Sequence, residues 1–159
     1  FFISTLAILI IASIGFFIQW YTTQRTSFFS KTYKELMLAN NNFNDNQYDE
    51  ASKIYSEITK DHEQSSLFNE IALVGTGYSL MEKKEYDKSI EIFEDLVGRV
   101  NFQYPKEDLY KNLALLYEKT GKDDKAIEIY QKLVELYPQS TDIPLYMNEL
   151  AKSSKFQHP

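Results

Sequence analysis

Hydrophobic and polar positions divide this chain of 159 residues into two stretches of different character. From Phe1 to Tyr21 no side chain is charged, and apart from the terminal Tyr21 only Ser4, Thr5, Ser13 and Gln19 are clearly polar. Beyond that run, apolar residues return at spacings of three and four, the period of a helix with one buried face. The pattern is cleanest near the C-terminal end. There Leu113, Leu116 and Tyr117 line one predicted helix and Gly121 ends it. Ile127, Tyr130, Leu133 and Val134 line the next, which Pro138 stops.

This helix pair is written three times. Tyr48-Asp49-Glu50-Ala51-Ser52, Tyr86-Asp87-Lys88-Ser89-Ile90 and Asp123-Asp124-Lys125-Ala126-Ile127 are variants of one phrase, with Ala51, Ser89 and Ala126 spaced by 38 and 37 positions. Twelve residues before each lies another small residue, giving the pairs Ala39/Ala51, Gly77/Ser89 and Ala114/Ala126. Antiparallel helices approach closely only where the crossing side chains are small, so each pair predicts one helix-helix contact. Four residues after the second member comes an aromatic, Tyr55, Phe93 or Tyr130, on the same face and aimed at the neighbouring helix. A period of this length marks a helical repeat protein.

With these residues the chain resembles the tetratricopeptide repeat family, whose unit is a helix pair of about 34 residues. Tyr110, Leu113, Ala114, Tyr117, Gly121, Ala126, Tyr130 and Pro138 match the signature positions of the third unit. The second matches through Gly77, Leu80, Ser89 and Phe93, and the first through Leu38, Ala39, Ala51 and Tyr55. Both spacings exceed the usual period, which places longer helices or loops near Asp61–Ser66 and Val100–Tyr104. The expected fold is all-α: a single N-terminal transmembrane helix, then an α-solenoid of three tetratricopeptide-like pairs and a C-terminal capping helix. The boundaries read as an anchor at 1–21, a linker at 22–31 that nothing forces to break the helix, and a repeat domain at 32–152. Within it the repeats span 32–66, 67–104 and 106–139, a cap spans 141–152, and a tail follows at 153–159. The Asn-rich run Asn40–Asn46 reads as the turn inside the first unit. Pro144 marks the start of the cap, with Leu145, Met147 and Leu150 expected to cover the third unit.

The apolar run is the second element with a functional meaning. Twenty-one helical residues reach about 31 Å, enough to cross a hydrocarbon core. Trp20 and Tyr21 stand at its end, where amphipathic rings favour the interface. A cleavable signal peptide has a shorter apolar region and a small-residue cleavage site, neither of which is present. The chain starts at Phe1 without Met, which points to residues upstream. Arg25, Lys31 and Lys34 favour retention of the following side in the cytoplasm, and a basic segment before Phe1 would reverse that bias.

Composition removes several function classes. All charges follow residue 24 and sum to −6, so the repeat domain is acidic and lacks the electrostatic footprint for nucleic acid or for an anionic membrane surface. There is no cysteine, hence no thiol chemistry. His62 and His158 have no second ligand at metal spacing. Gly75-Thr76-Gly77 lacks the Gly-Lys-Ser/Thr of a phosphate loop. The sequence therefore predicts no enzyme, no metal, no cofactor and no small-molecule substrate.

What remains is a binding surface. The family resemblance implies a groove lined by four positions of each first helix: Tyr33, Leu36, Asn40 and Phe43, then Ile71, Val74, Tyr78 and Met81, then Asp108, Lys111, Leu115 and Glu118. Two thirds of these are apolar or aromatic, the character of an interaction site. The competing expectation is that a helix carrying Phe28 and Phe29 fills part of the groove. Clamping of chaperone tails is not implied, since Leu36, Gly75 and Asp108 stand where that use requires Lys, Asn or Arg, and Asn40 alone matches. Anchor plus acidic repeats resembles the YfgM-type ancillary subunit of the bacterial Sec translocon. That likeness implies an inner-membrane protein with periplasmic repeats, whose partners are a translocon, chaperones or their clients. Two alternatives stay open. One is an accessory subunit of a motor, secretion or respiratory complex, held by its transmembrane helix. The other is a targeting receptor with cytosolic repeats.

Overall fold

A computed structural model describes residues 2–61, 67–100 and 104–156, with side chains described over 10–60, 67–100 and 104–152. Among the described residues there are seven α-helices and no strand: α1 (Phe2–Asn44), α2 (Tyr48–Asp61), α3 (Leu67–Glu82), α4 (Tyr86–Gly98), α5 (Lys106–Lys119), α6 (Asp123–Leu136) and α7 (Ile143–Phe156). Each helix packs on the next, and α1 also touches α3. This is a solenoid, in which stability is a sum of local units and their nearest-neighbour interfaces.

The small residues sit where helices cross. Ala39 and Ala51 are fully buried, as are Ala114 and Ser89, with Ala126 at 3 % exposure. In the second unit the contact is also polar, because the Ser89 hydroxyl donates to the Gly77 carbonyl at 2.8 Å. A Cβ on Gly77 would overlap the Phe93 ring, so the close crossing requires glycine. Two cores result. One joins Leu36, Ala39, Ile54, Tyr55, Ile58 and Ala72 across α1, α2 and α3. The other runs from Val74 through Phe93, Leu109, Leu113 and Leu133 to Tyr146.

The first helix of every unit ends in the same way. Asn46, Lys84 and Gly121 all have a left-handed backbone, with φ of 60°, 62° and 68°. The next amide turns back to the helix: Gln47 to Asn42, Glu85 to Leu80 and Lys122 to Tyr117, at 2.8–2.9 Å. This is the Schellman closure, which favours glycine. The Asn-rich run is therefore mostly helix, and the turn occupies only Asp45–Gln47. Lys84 holds the left-handed position with a side chain that costs about 1–2 kcal/mol there. Lys84→Gly is expected to raise stability by about 0.5–1 kcal/mol once glycine's greater unfolded-state freedom is subtracted, read as a higher melting midpoint.

α1 runs unbroken through 22–31, with no separate linker. Its 43 residues make a rod of about 64 Å. Residues 10–31 are all exposed, and burial begins at Thr32, where the rod meets the stack. Among the described residues no helix is long and apolar enough to cross a membrane. Side chains 1–9 of the expected anchor lie outside the described residues, as do His62, His158 and most of the expected loops at 61–66 and 100–104.

The cap differs from expectation in its anchor. Leu145 and Met147 are 53 % and 52 % exposed, whereas Tyr146 is completely buried. Residues two apart on a helix point to nearly opposite sides, so Leu145 and Met147 never shared a covering face. The Tyr146 hydroxyl donates to Glu107 at 2.9 Å, tying α7 back to the start of α5, and Ser140 donates to the same carboxylate.

Candidate binding groove

The positions expected to line a groove separate into three groups. Asn40, Phe43, Ile71, Val74 and Tyr78 come together around a hollow of about 190 Å³ between α1, α2 and α3. Tyr55, Gly75 and Tyr104 complete its lining; Gly75 stands at a clamp position of the groove, while Tyr55 and Tyr104 are outside the expected set. Leu36 is only 7 % exposed and belongs to the first core, because α1 leans on α3 and small Ala72 admits it. Tyr33 and Leu115 are exposed at 56 % and 38 %, while Met81 is half-buried against the second core. Lys111 is bound at 2.7 Å to Asp108 and at 3.1 Å to Asp142 of the segment leading into α7. These carboxylates, Asp108 first, hold its ammonium more firmly protonated than usual. The third unit's share of the surface is thus an internal ion-pair bridge to the cap, flanked by Glu118, which accepts from the Tyr130 hydroxyl at 3.0 Å.

Local sequence builds the hollow. Gly75 has no side chain because the Tyr55 ring occupies that space; a Cβ would lie 2.5 Å from the ring. Tyr55 in turn donates to the Asn40 side-chain oxygen at 2.5 Å, fixing the amide at the rim. Tyr78 packs edge-on against Phe93 with centroids 5.4 Å apart, and its hydroxyl accepts from Asn112 at 3.1 Å. Phe43 is steadied by Tyr48 at 5.3 Å. The walls are aromatic and aliphatic, and the few polar atoms are held by neighbours. Such a surface suits an apolar side chain with one or two hydrogen bonds at its edge.

Burial pushes the Tyr55 hydroxyl up to about 12, and burial, then the neighbouring Tyr104 and Asp108, does the same for Tyr78. Each folded pKa lies above the value near 10 of an unfolded tyrosine. The folded chain therefore retains protons that the unfolded chain loses, and stability falls as pH rises from about 10 to about 12. Thermal midpoints measured across that window should drop as pH rises.

The same residue spacing is recognised by two tetratricopeptide repeat models, one matching residues 36–108 and the other residues 112–140. Together these stretches span more than half of the chain. The chain carries tetratricopeptide repeats. Over 63 residues it is also 27 % identical to the Photosystem I assembly protein Ycf3 of Prochlorococcus marinus. That match covers 40 % of this chain and 36 % of that protein, so this chain aligns with little more than a third of its relative's length. Tetratricopeptide repeats bind protein partners, and the hollow between the first two repeats is where this chain offers an apolar surface.

A larger hollow of about 360 Å³ lies between α4, α5 and α6, and its rim is charged. Glu94, Lys125, Glu128 and Lys132 border it, with Lys125 3.5 Å from Glu94. Among the described residues no group of three or more His, Cys, Asp or Glu is placed to hold a metal ion. Trp20 and Tyr21 are half exposed on the free part of α1, where Phe17 stacks near Tyr21 and lies tilted to Trp20.

Proposed function

We propose that this chain is a membrane-anchored, non-catalytic adaptor whose first two repeats grip an apolar segment of a protein partner. The observation that carries this reading is the hollow between α1, α2 and α3, where Phe43, Ile71 and Tyr78 line an open surface. The likeness to an assembly protein supports work on other proteins rather than on small molecules. Membrane attachment is supported by residues 1–21, uncharged and predominantly apolar, and by the exposure of every described side chain in that run. In the setting that the YfgM-type likeness implies, the repeats face the periplasm of a bacterial inner membrane. The partner is then a translocon component, a chaperone or its client, and the process is export or envelope assembly.

Recovery of partners from native membranes by full-length chain carrying Phe43→Asp plus Ile71→Asp tests the groove. Lost recovery with an unchanged helical spectrum supports it, and full recovery removes it. A second reading, an accessory subunit held by α1, is favoured by the unbroken exposure of residues 10–31. Exchange of residues 1–21 for an unrelated anchor separates the two, since only the second loses its complex.

A further inference from the structure

The hollow between α1, α2 and α3 continues into a furrow. On α1, Phe29, Tyr33 and Met37 follow one another at spacings of four, and Asn40 comes three residues later, so all four share one face. Phe29 meets Phe68 of α3 with centroids 5.7 Å apart. Further along, Asn40 and Phe43 meet Ile71, Val74 and Tyr78 of the same helix around the hollow. α1 and α3 therefore flank one apolar surface about 21 Å long, from Phe29 to Phe43. Tyr33 and Met37 stand in solvent along it, and no charged side chain lines the hollow.

The two ends of the furrow differ in charge. Where α1 enters, Arg25 lies against the Phe29 ring at 5.7 Å. At the other end Asp45 follows α1, and Glu82 closes α3 one turn beyond Tyr78, about 6 Å further along the axis. Both carboxylates are exposed, and neither has an ion-pair partner among the described residues. Most cations near them are already engaged. Lys83 is held by Asp49 and Glu85 at 2.7 and 2.9 Å, Lys111 by Asp108 and Asp142, and Lys119 turns to the Tyr86 ring of α4.

The third repeat adds to the same sign. The Asn112 amide donates to the Tyr78 hydroxyl at 3.1 Å and to the Asp108 carbonyl at 2.7 Å, so α5 borders the hollow. Asp45, Glu82, Asp108 and Glu118 together outnumber Lys84 and Lys111 by two. The hollow itself points to a polypeptide occupant. At about 190 Å³ it is smaller than the roughly 300–1,000 Å³ of small-molecule sites, and it suits a single side chain. Tyr55 donates to the Asn40 amide oxygen, which leaves the Asn40 nitrogen without a protein acceptor among the described residues. A peptide carbonyl fits that donor.

We propose that the partner segment gripped by the first two repeats is basic as well as apolar. One apolar side chain fills the hollow, others lie over Met37 and Tyr33, and Lys or Arg stands at the end that faces Asp45 and Glu82. This rests on the groove reading above and gives that groove its partner chemistry. A cation brought to unpaired carboxylates is attracted, whereas an acidic segment is repelled by the same residues, so charge selects among apolar segments. Arg25 at the far end disfavours the reversed orientation.

The full chain, in phosphatidylcholine nanodiscs and with a photoreactive side chain at Met37, is offered Leu/Lys, Leu/Gln and Leu/Glu peptides of equal length. Adduct yield with Leu/Lys should exceed that with Leu/Glu by about tenfold, with Leu/Gln between them. Glu82→Lys should lower the Leu/Lys yield about three- to tenfold and raise that of Leu/Glu. Glu135→Lys on α6, exposed and equal in charge change, should leave both unaltered. The uncharged change Phe43→Gln plus Ile71→Gln, with an unchanged helical spectrum, should lower the yield of all three peptides, and the milder Ile71→Ala should do so to a smaller degree. Equal yields from the three peptides, or a preference for Leu/Glu, still lowered by these uncharged changes, overturn the basic preference and leave the groove reading intact. A Leu/Lys preference weakened as much by Glu135→Lys as by Glu82→Lys is attraction to net charge alone, and it overturns the proposal in the same way. No adducts, or adducts that the uncharged changes do not lower, remove the groove reading and this proposal together.

Discussion

Phe93→Ala is expected to lower the unfolding free energy by about 3–5 kcal/mol, the cost of removing a large buried ring and leaving its cavity. Phe93 is completely buried in the middle repeat, against the glycine face of α3. A repeat array transmits stability only through adjacent interfaces, so the loss severs the first repeat from the third. The measurement is chemical denaturation of the full chain in detergent. A reduced midpoint with two resolved transitions is the expected signature, and an unchanged midpoint contradicts this packing. Gly77→Ala should fail for the mirror-image reason, by overfilling the same contact at about 1–3 kcal/mol. Combined with Phe93→Leu it should cost less than the sum of the single changes.

Tyr146→Ala is expected to cost about 3 kcal/mol, the low end for losing a large buried ring, and the loss should be local. Tyr146 is as buried as Phe93 and is bonded to Glu107. It lies on the last helix, which packs on α6, so α7 can detach while the repeats stay folded. Hydrogen exchange should show α7 amides losing protection with α3 and α4 unaffected. Collapse of protection everywhere would mean that α7 is part of a single cooperative core. Tyr146→Phe should retain most of the stability, because the Ser140 hydroxyl still meets Glu107.

The repeat was legible because small residues at a fixed spacing leave few alternatives: Ala39 against Ala51 and Gly77 against Ser89 are contacts a helix pair cannot make with larger side chains. Gly121 announced one helix end. Asn46 lies at the end of the Asn-rich run read as the first turn, whereas Lys84 gave no such sign, since lysine in a left-handed turn has no compositional signal and only the 38- and 37-residue period points to it. The hollow was half legible. Asn40, Phe43, Ile71, Val74 and Tyr78 were named from family positions on first helices. Tyr55 belongs to a second helix and Tyr104 to the segment before α5, outside any rule that counts only first helices. Leu36 was assigned to the groove although α1 and α3 close over it, a tertiary contact that no single-helix pattern encodes. At the cap, the apolar residues Leu145 and Met147 drew attention from Tyr146, whose burial is made possible by the Glu107 acceptor thirty-nine residues away.

Site-specific photo-crosslinking in native membranes tests partner binding most directly. A photoreactive side chain is placed at Phe43, at Ile71, or at Lys132 beside the charged hollow, each in the full chain. Discrete protein adducts from Phe43 and Ile71, with none from Lys132, are the predicted result. Adducts of equal yield from Lys132, or none from the two hollow positions, would contradict a partner held between the first two repeats.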